Sequence, residues 1–339
     1  MRAASTGDVV DRFRPLEKQY RHRSSDHKNA RQRRHDAHRQ TDRVDFSGVI
    51  DVHAKDANSA ANMARLRGRA PSSEALAFDY TILSPRDAYI YEIEGLSGMM
   101  VLTGAMPITT QVEWAFRAVR AHSQQPYNNV TNLTGDRAAT TRLWEDAWHE
   151  DATTHGRPAW KAFHALRWAN IGAHYDWTAR EYVADPDIPP LPEELKQLVK
   201  EVYAMTSYVN GKDVESGIVN FYPAGTCMGG HLDNAEFDMV NPIVSLSLGT
   251  QCVYLQGGLT RATTPTALWL RSGDILVMGG EARRCFHGVP LVTDQLPDDF
   301  AACTQALKHT HIPAEVDAFA DYIAHARVNI NLRRVADRE

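Results

Sequence analysis

Residues 327–335 read RVNINLRRV, and the alternation in that run decides what kind of protein is built around it. Side chains of a strand point to opposite faces with a period of two. Arg327, Asn329, Asn331 and Arg333 therefore share one face, and Val328, Ile330 and Leu332 the other. The apolar face suits packing under helices. The polar face offers two guanidinium groups and two amides, a set suited to an anion; the plainer alternative is a solvent-facing edge strand with ordinary charges. Upstream, from Leu166 onward, short alternating or apolar runs recur between Gly, Pro and Asn: LRWANIG, SGIVNFY, PIVSLSLG, QCVYLQGG, TALWLRSGDILVM and FHGVPLV. AEVDAFADYIAHA is the one clear helix among them. Strands at this spacing predict a closed or sandwiched antiparallel sheet.

Before Leu166 the texture is helical. TTQVEWAFRAVRAHS places Thr110 and Glu113 in capping-box register and Val112, Ala115, Phe116 and Val119 on one stripe. AATTRLWEDAWHE carries Leu143, Trp144 and Trp148, read as core aromatics. At the front, Val9, Phe13, Leu16 and Tyr20 recur at helical spacing between Arg12, Arg14, Lys18 and Arg21, a short basic amphipathic helix. RHRSSDHKNARQRRHDAHRQTDR follows, almost free of apolar residues and read as a mobile charged segment. The chain thus divides into a basic helix and arm at 1–45, a helical extension at 46–165 and a strand-rich domain at 166–339, an α+β protein with a mostly β core.

At 339 residues, with 43% hydrophobic and 23% charged, the chain has the composition of an ordinary globular protein. No apolar run is long enough to span a bilayer, and no membrane association is expected. The net charge of -5 hides an asymmetry: residues 1–45 hold twelve Lys/Arg against seven Asp/Glu, leaving -10 on the remainder. A basic arm stands in front of an acidic body. Cys227, Cys252, Cys285 and Cys303 show no C-x-x-C spacing and read as reduced thiols of an intracellular compartment.

Residues 230–236 read GHLDNAE. If they lie on a strand, His231 and Asp233 project to the same side and can grip one ion. Such a tripeptide is weak evidence, since H-x-D is common. It gains weight from His287 in RRCFHGVPLV, 54 residues after Asp233. Two histidines and one carboxylate form a facial triad with open positions, as used by Fe(II) oxygenases; zinc accepts the same set. The arginine-bearing strand favours the oxygenase, because a dicarboxylate such as 2-oxoglutarate answers both guanidinium forks.

At this point the sequence resembles the AlkB family of Fe(II)/2-oxoglutarate dioxygenases, most closely the AlkB homologue 1 subfamily. Four blocks carry the resemblance in order across the C-terminal half: LRWANIGAHYDW (166–177), NFYPAGTCMGGHLDNAE (220–236), SGDILVMGGEARRCFHGV (272–289) and RVNINLR (327–333). DFSGVID and DRFRPLEKQYR look like the subfamily's N-terminal region. The resemblance implies a double-stranded β-helix, or jelly roll, with the N-terminal helices packed on it. It implies that His231, Asp233 and His287 bind Fe(II), and that Asn220, Tyr222, Arg327, Asn329 and Arg333 hold 2-oxoglutarate, one arginine for each carboxylate end. Dioxygen is the co-reactant.

The implied activity is oxidative demethylation of nucleic acid with loss of formaldehyde. N6-methyladenine in unpaired or distorted DNA is the leading substrate and 1-methyladenine in tRNA the runner-up. A protein or histone hydroxylase or demethylase on the same core is a third reading, and a non-catalytic nucleic-acid-binding module a fourth. The nucleus comes ahead of mitochondrion and cytosol as the compartment. A methylated base must leave its stack to reach the metal, and Tyr175, with Trp177 second, is the expected stacking platform; Trp168 reads as core. Two positions depart from the family's bacterial founder. Ala235 stands where an acidic residue reads the base, leaving Glu236 as candidate reader, and Met278 replaces a Trp.

Overall fold

The computed structural model describes residues 10–21, 44–54, 64–127, 141–150, 157–176, 181–183, 189–208 and 211–335. The charged segment at 22–43 and Trp177 lie outside them. Strands β1 (Leu66–Arg69), β2 (Tyr89–Ile93), β3 (Met99–Thr103), β4 (Trp168–Gly172), β7 (Ser216–Pro223), β9 (Ile243–Gly249), β12 (Ile275–Met278) and β14 (Ala326–Arg333) form one antiparallel sheet in the order β1-β2-β3-β12-β9-β14-β7-β4. A second sheet takes β8 (Met228–His231), β10 (Cys252–Gln256), β11 (Thr266–Leu270) and β13 (His287–Val292) in the order β11-β10-β13-β8. A small hairpin, β5 (His174–Asp176) with β6 (Glu181–Val183), follows β4.

Alternation along the strands sorts the side chains into three packed layers. On β14, Val328, Ile330 and Leu332 join Val244, Leu246 and Leu248 of β9 and Ile275 and Val277 of β12 in the largest core. That core is closed by helices, so the expected apolar underside of RVNINLR is borne out. Its opposite face looks across to the second sheet, where Tyr222, Ile243, Leu276 and Met278 meet Cys252, Tyr254, Leu268 and Val289. The outer face of the second sheet, Val253, Leu255, Ala267 and Leu291, is covered by Phe13, Tyr20 and Val49. Each such side chain contributes about 1.5–3 kcal/mol on burial. Two facing antiparallel sheets, with most helices against the large sheet and α1 against the second, make the expected jelly roll.

Several expectations change in detail. The helix α1 spans Phe13–Tyr20. The helix at Ile108–Arg117 runs on through a π turn at Ala118–His122 and buries Val112, Ala115, Phe116 and Val119 as foreseen. Its N-cap is Pro107, with no side-chain cap; Thr110 therefore sits inside the first turn, and the Thr110–Glu113 capping box does not form. The stretch read as a helical extension at 46–165 also supplies β1, β2 and β3, and β3 pairs with β12 inside the large sheet. A helix at Glu193–Thr206 lies within the half read as strands with one helix. Its Leu195, Leu198, Val199 and Val202 pack into the largest core. Among the described residues no helix is long and apolar enough to cross a membrane.

Candidate active site

Strands β8 and β13 pair so that His231 and His287 stand directly opposite, with ring centroids 4.3 Å apart. Each ring meets a main-chain carbonyl through Nδ1: His231 the oxygen of Gly229 at 2.9 Å and His287 that of Cys285 at 3.3 Å. A carbonyl only accepts, so Nδ1 carries the proton and Nε2 keeps its lone pair. Both Nε2 atoms lie 3.7 Å from the Asp233 carboxylate, His231 from Oδ1 and His287 from Oδ2. The three side chains are the one His/Cys/Asp/Glu group among the described residues with ligand atoms close enough to share a metal ion, all within 4.8 Å.

The electrostatics suit a cation. Burial alone would raise the Asp233 carboxyl, but Arg333, then the two imidazoles, hold it well below the usual carboxylate range. Burial pulls His287 down to about 4 against the opposing pull of Asp233, so its imidazole is neutral at neutral pH. A neutral His287 imidazole beside an ionised carboxylate is the protonation state in which such groups bind metal. Donor set and geometry fit Fe(II).

The expected cosubstrate residues are brought together by register. On the β7–β14 ladder Tyr222 faces Arg327 and Asn220 faces Asn329, so N-x-Y and R-x-N are two halves of one surface. Arg327 is 2% exposed. Its Nη2 donates to Ser247 Oγ at 2.8 Å and its guanidinium sits 5.4 Å from the Tyr222 ring centroid. Its Nε and Nη1 are buried without a hydrogen-bond partner among the described residues. A buried cation with two orphaned N–H groups is costly unless an anion meets it, and a carboxylate end of 2-oxoglutarate fits. Burial pushes the Tyr222 phenol up, keeping it neutral, and its OH reaches only the Met228 sulfur, at 3.6 Å. Asn329 is committed to the protein: its Nδ2 donates to Ser245 Oγ and Leu246 O, and its Oδ1 accepts from Asn220.

Arg333, the other arginine expected to hold 2-oxoglutarate, is met by two carboxylates of the protein. Its Nη1 is 2.8 Å from Glu236 Oε1 and its Nη2 3.2 Å from Asp233 Oδ2. Glu236, the candidate base reader, is 6% exposed. Its Oε2 accepts from Arg283 at 2.9 Å, and Tyr182, on β6, donates to its Oε1 at 2.8 Å. Both oxygens are thus engaged within the protein. Tyr175 lies on β5 as register partner of Tyr182. Met278 accepts from the buried Tyr254 hydroxyl at 3.0 Å.

Four participants were missed from sequence. Ser245 and Ser247 did carry a signal, two hydroxyls at alternate positions of the otherwise apolar IVSLSLG. Arg283 and Tyr182 lie in a turn and a short hairpin with no periodicity to mark them.

The profile of the 2OG-Fe(II) oxygenase superfamily matches residues 98–333. The DNA N(6)-methyladenine demethylase ALKBH1A of Arabidopsis thaliana is 40% identical over 173 residues, 50% of this chain and 49% of the relative. The human nucleic acid dioxygenase ALKBH1 is 30% identical over 323 residues, 86% of this chain and 79% of the relative. The tRNA demethylase abh1 of Schizosaccharomyces pombe is 36% identical over 172 residues, 50% of this chain and 53% of the relative. The match to the plant relative thus spans about half of that protein's length. The superfamily profile takes in β3 to β14 together with the triad and the Arg327 pocket, and the human relative aligns along most of both chains. On these grounds the chain belongs to the 2OG-Fe(II) oxygenase superfamily and, within it, to the ALKBH1 subfamily of AlkB-type dioxygenases.

Proposed function

We propose that the chain removes N-methyl groups from nucleic acid by oxidation, with N6-methyladenine in unpaired or distorted DNA as its first substrate. The observation that carries the reading is the triad of His231, Asp233 and the buried His287, on the side of the large sheet that also carries the orphaned Arg327 nitrogens. Fe(II) with 2-oxoglutarate and dioxygen supplies the hydroxylation of the N-methyl carbon, whose product sheds formaldehyde while the cosubstrate leaves as succinate and carbon dioxide.

The chain's own residues do the rest. His231, Asp233 and His287 hold the metal. Arg327, with Ser247 and the neutral Tyr222 hydroxyl beside it, takes one carboxylate of 2-oxoglutarate by charge-assisted bonds. Asn220 and Asn329 brace the floor of that pocket. Arg333 keeps Asp233 ionised and oriented, while Glu236 and Arg283 hold Arg333 in place. The β5–β6 hairpin is tied to Glu236 through Tyr182, and Tyr175, with Trp177 second, is the choice for stacking on a base that has left its helix. Residues 1–45 add sequence-independent phosphate contacts.

A second reading, 1-methyladenine in tRNA, is favoured by the fission-yeast relative, named a tRNA demethylase. Mass spectrometry of nucleosides after parallel incubation with methylated single-stranded DNA, bubbled DNA and tRNA, and of histone peptides, ranks the substrates. Loss of N6-methyladenine from bubbled DNA ahead of the others is expected. Turnover confined to the peptides would overturn the nucleic-acid reading.

A further inference from the structure

The metal-bearing strand β8 is the open edge of its sheet. On one side it pairs with β13; on the other, among the described residues, the order β11-β10-β13-β8 ends. It is four residues long and reads Met-Gly-Gly-His. Two glycines ahead of His231 give the backbone much freedom to lose on ordering and no side chains of their own to pack. An edge also leaves main-chain donors and acceptors without a neighbouring strand. Something else must fix the approach to His231.

We propose that α1 and the loop between β10 and β11 supply it: Glu17 from the helix and Arg261 from the loop clasp the Gly230 peptide groups in place of a neighbouring strand, and so act as positioning residues for the metal ligand His231. The inference rests on the assignment of His231 to the metal. The outward N–H of Gly230 donates to Glu17 Oε2 at 3.3 Å, and its carbonyl accepts from Arg261 Nη1 at 3.1 Å. Opposite charges thus meet the donor and the acceptor of one residue, as a strand's backbone would.

The clasp is itself held. Arg261 Nε pairs with Asp11 at 2.8 Å, and its carbonyl accepts the N–H groups of Arg12 and Phe13 at 2.8 and 3.1 Å, closing the first turn of α1. Its guanidinium lies over the rings of Phe13 and Phe286, 5.3 and 5.5 Å from their centroids. Phe13 is fully buried and packs so closely that a Cβ on Gly230 would come 2.4 Å from its ring. Glycine at 230 is thus what lets the helix approach, and Glu17 and Arg261 restore the order that the glycines lack. Ordered support of a ligand's backbone raises metal affinity, and loss of such support weakens it about 10–100-fold.

The test uses the full chain and Mn(II), a redox-inert stand-in for Fe(II). Three quantities are measured: Mn(II) affinity by titration calorimetry, hydrogen exchange at the Gly230 amide in metal-free protein, and the urea midpoint. Glu17→Ala is expected to weaken Mn(II) binding about tenfold and to speed exchange at Gly230. Glu17→Gln, which keeps an acceptor oxygen, is expected to restore most of both. Arg261→Met is expected to behave as Glu17→Ala. Parent-like Mn(II) affinity in Glu17→Ala, or a loss in Glu17→Ala and Glu17→Gln alike that follows the urea midpoint, would overturn the clasp and leave α1 a packing element. Parent protein that fails to bind Mn(II) would overturn the metal site together with the clasp.

Discussion

Arg327 and Arg333 occupy the same face of the same strand, six residues apart, and both are almost wholly buried, yet their surroundings differ in kind. Arg333 is answered by protein at both terminal nitrogens, its Nε alone lacking a partner among the described residues: Asp233, Glu236 and, through Glu236, Arg283 and Tyr182 surround it. Arg327 has a single hydroxyl at Nη2 and two N–H groups with no partner. A buried guanidinium costs several kcal/mol of desolvation wherever it is placed. At Arg333 two protein carboxylates offset much of that cost; at Arg327 it stands largely unmet. The same residue type in the same periodic pattern is thus surrounded by anions at one end of the strand and by none at the other among the described residues.

Three substitutions break or sharpen that contrast. Asp233→Ala removes the triad's carboxylate and one of Arg333's two anions. Turnover of methylated DNA should fall about a thousandfold or more, with Mn(II) binding lost in calorimetry. Arg327→Met should raise KM for 2-oxoglutarate about a hundredfold, the worth of two charge-assisted hydrogen bonds, while Mn(II) affinity holds. Because it deletes an unmet buried charge, urea unfolding of this variant without cosubstrate should show stability equal to or above the parent's; a clear loss would mean that Arg327 is scaffold too.

Glu236→Gln tests the other end. It should cost about 2 kcal/mol of stability and disturb KM for 2-oxoglutarate less than Arg327→Met does. The same variant carries a pH signature. Burial alone would raise the Glu236 carboxyl, but Arg333 and Arg283 bring it below its usual value of 4.5. With the folded pKa depressed, the carboxylate's stabilisation is fully present above pH 4.5 and disappears as the pH falls through the lower folded value. Urea midpoints measured across that acid range should fall more steeply for the parent than for Glu236→Gln.

The contrast between the two arginines was not legible in RVNINLRRV, and the reason is physical. Alternation reports which side chains share a face, and it did place Arg327, Asn329, Asn331 and Arg333 on one; Tyr222 and Asn220, the β7 partners of Arg327 and Asn329, came from the family resemblance. What each polar group meets depends on side chains delivered by other segments, such as Glu236 from beyond β8 and Arg283 from a turn. The triad was legible from residue chemistry, from His287 and from the resemblance to the AlkB family; strand period was not its basis, since Asp233 lies two residues beyond the end of β8. Strands β2 and β3 are five residues each, too short for a periodic signal to separate them from helix. β1, LRGR, is polar and joins its sheet by main-chain pairing. The Glu193–Thr206 helix did carry an i, i+3, i+4, i+7 pattern in Leu195, Leu198, Val199 and Val202. Its surrounding strand-like runs masked it.

The face-to-face register of His231 and His287 on β8 and β13 means that one ion would join two neighbouring strands as a cross-link, in addition to any part it takes in chemistry. Folding and metal uptake then share one equilibrium: the folded population grows with free metal by mass action, by about 2.7 kcal/mol once the ion stands at a hundred times its dissociation constant. An organism short of iron would hold this protein not merely idle but less stable, so that metal supply governs how much of it survives as well as how much of it works.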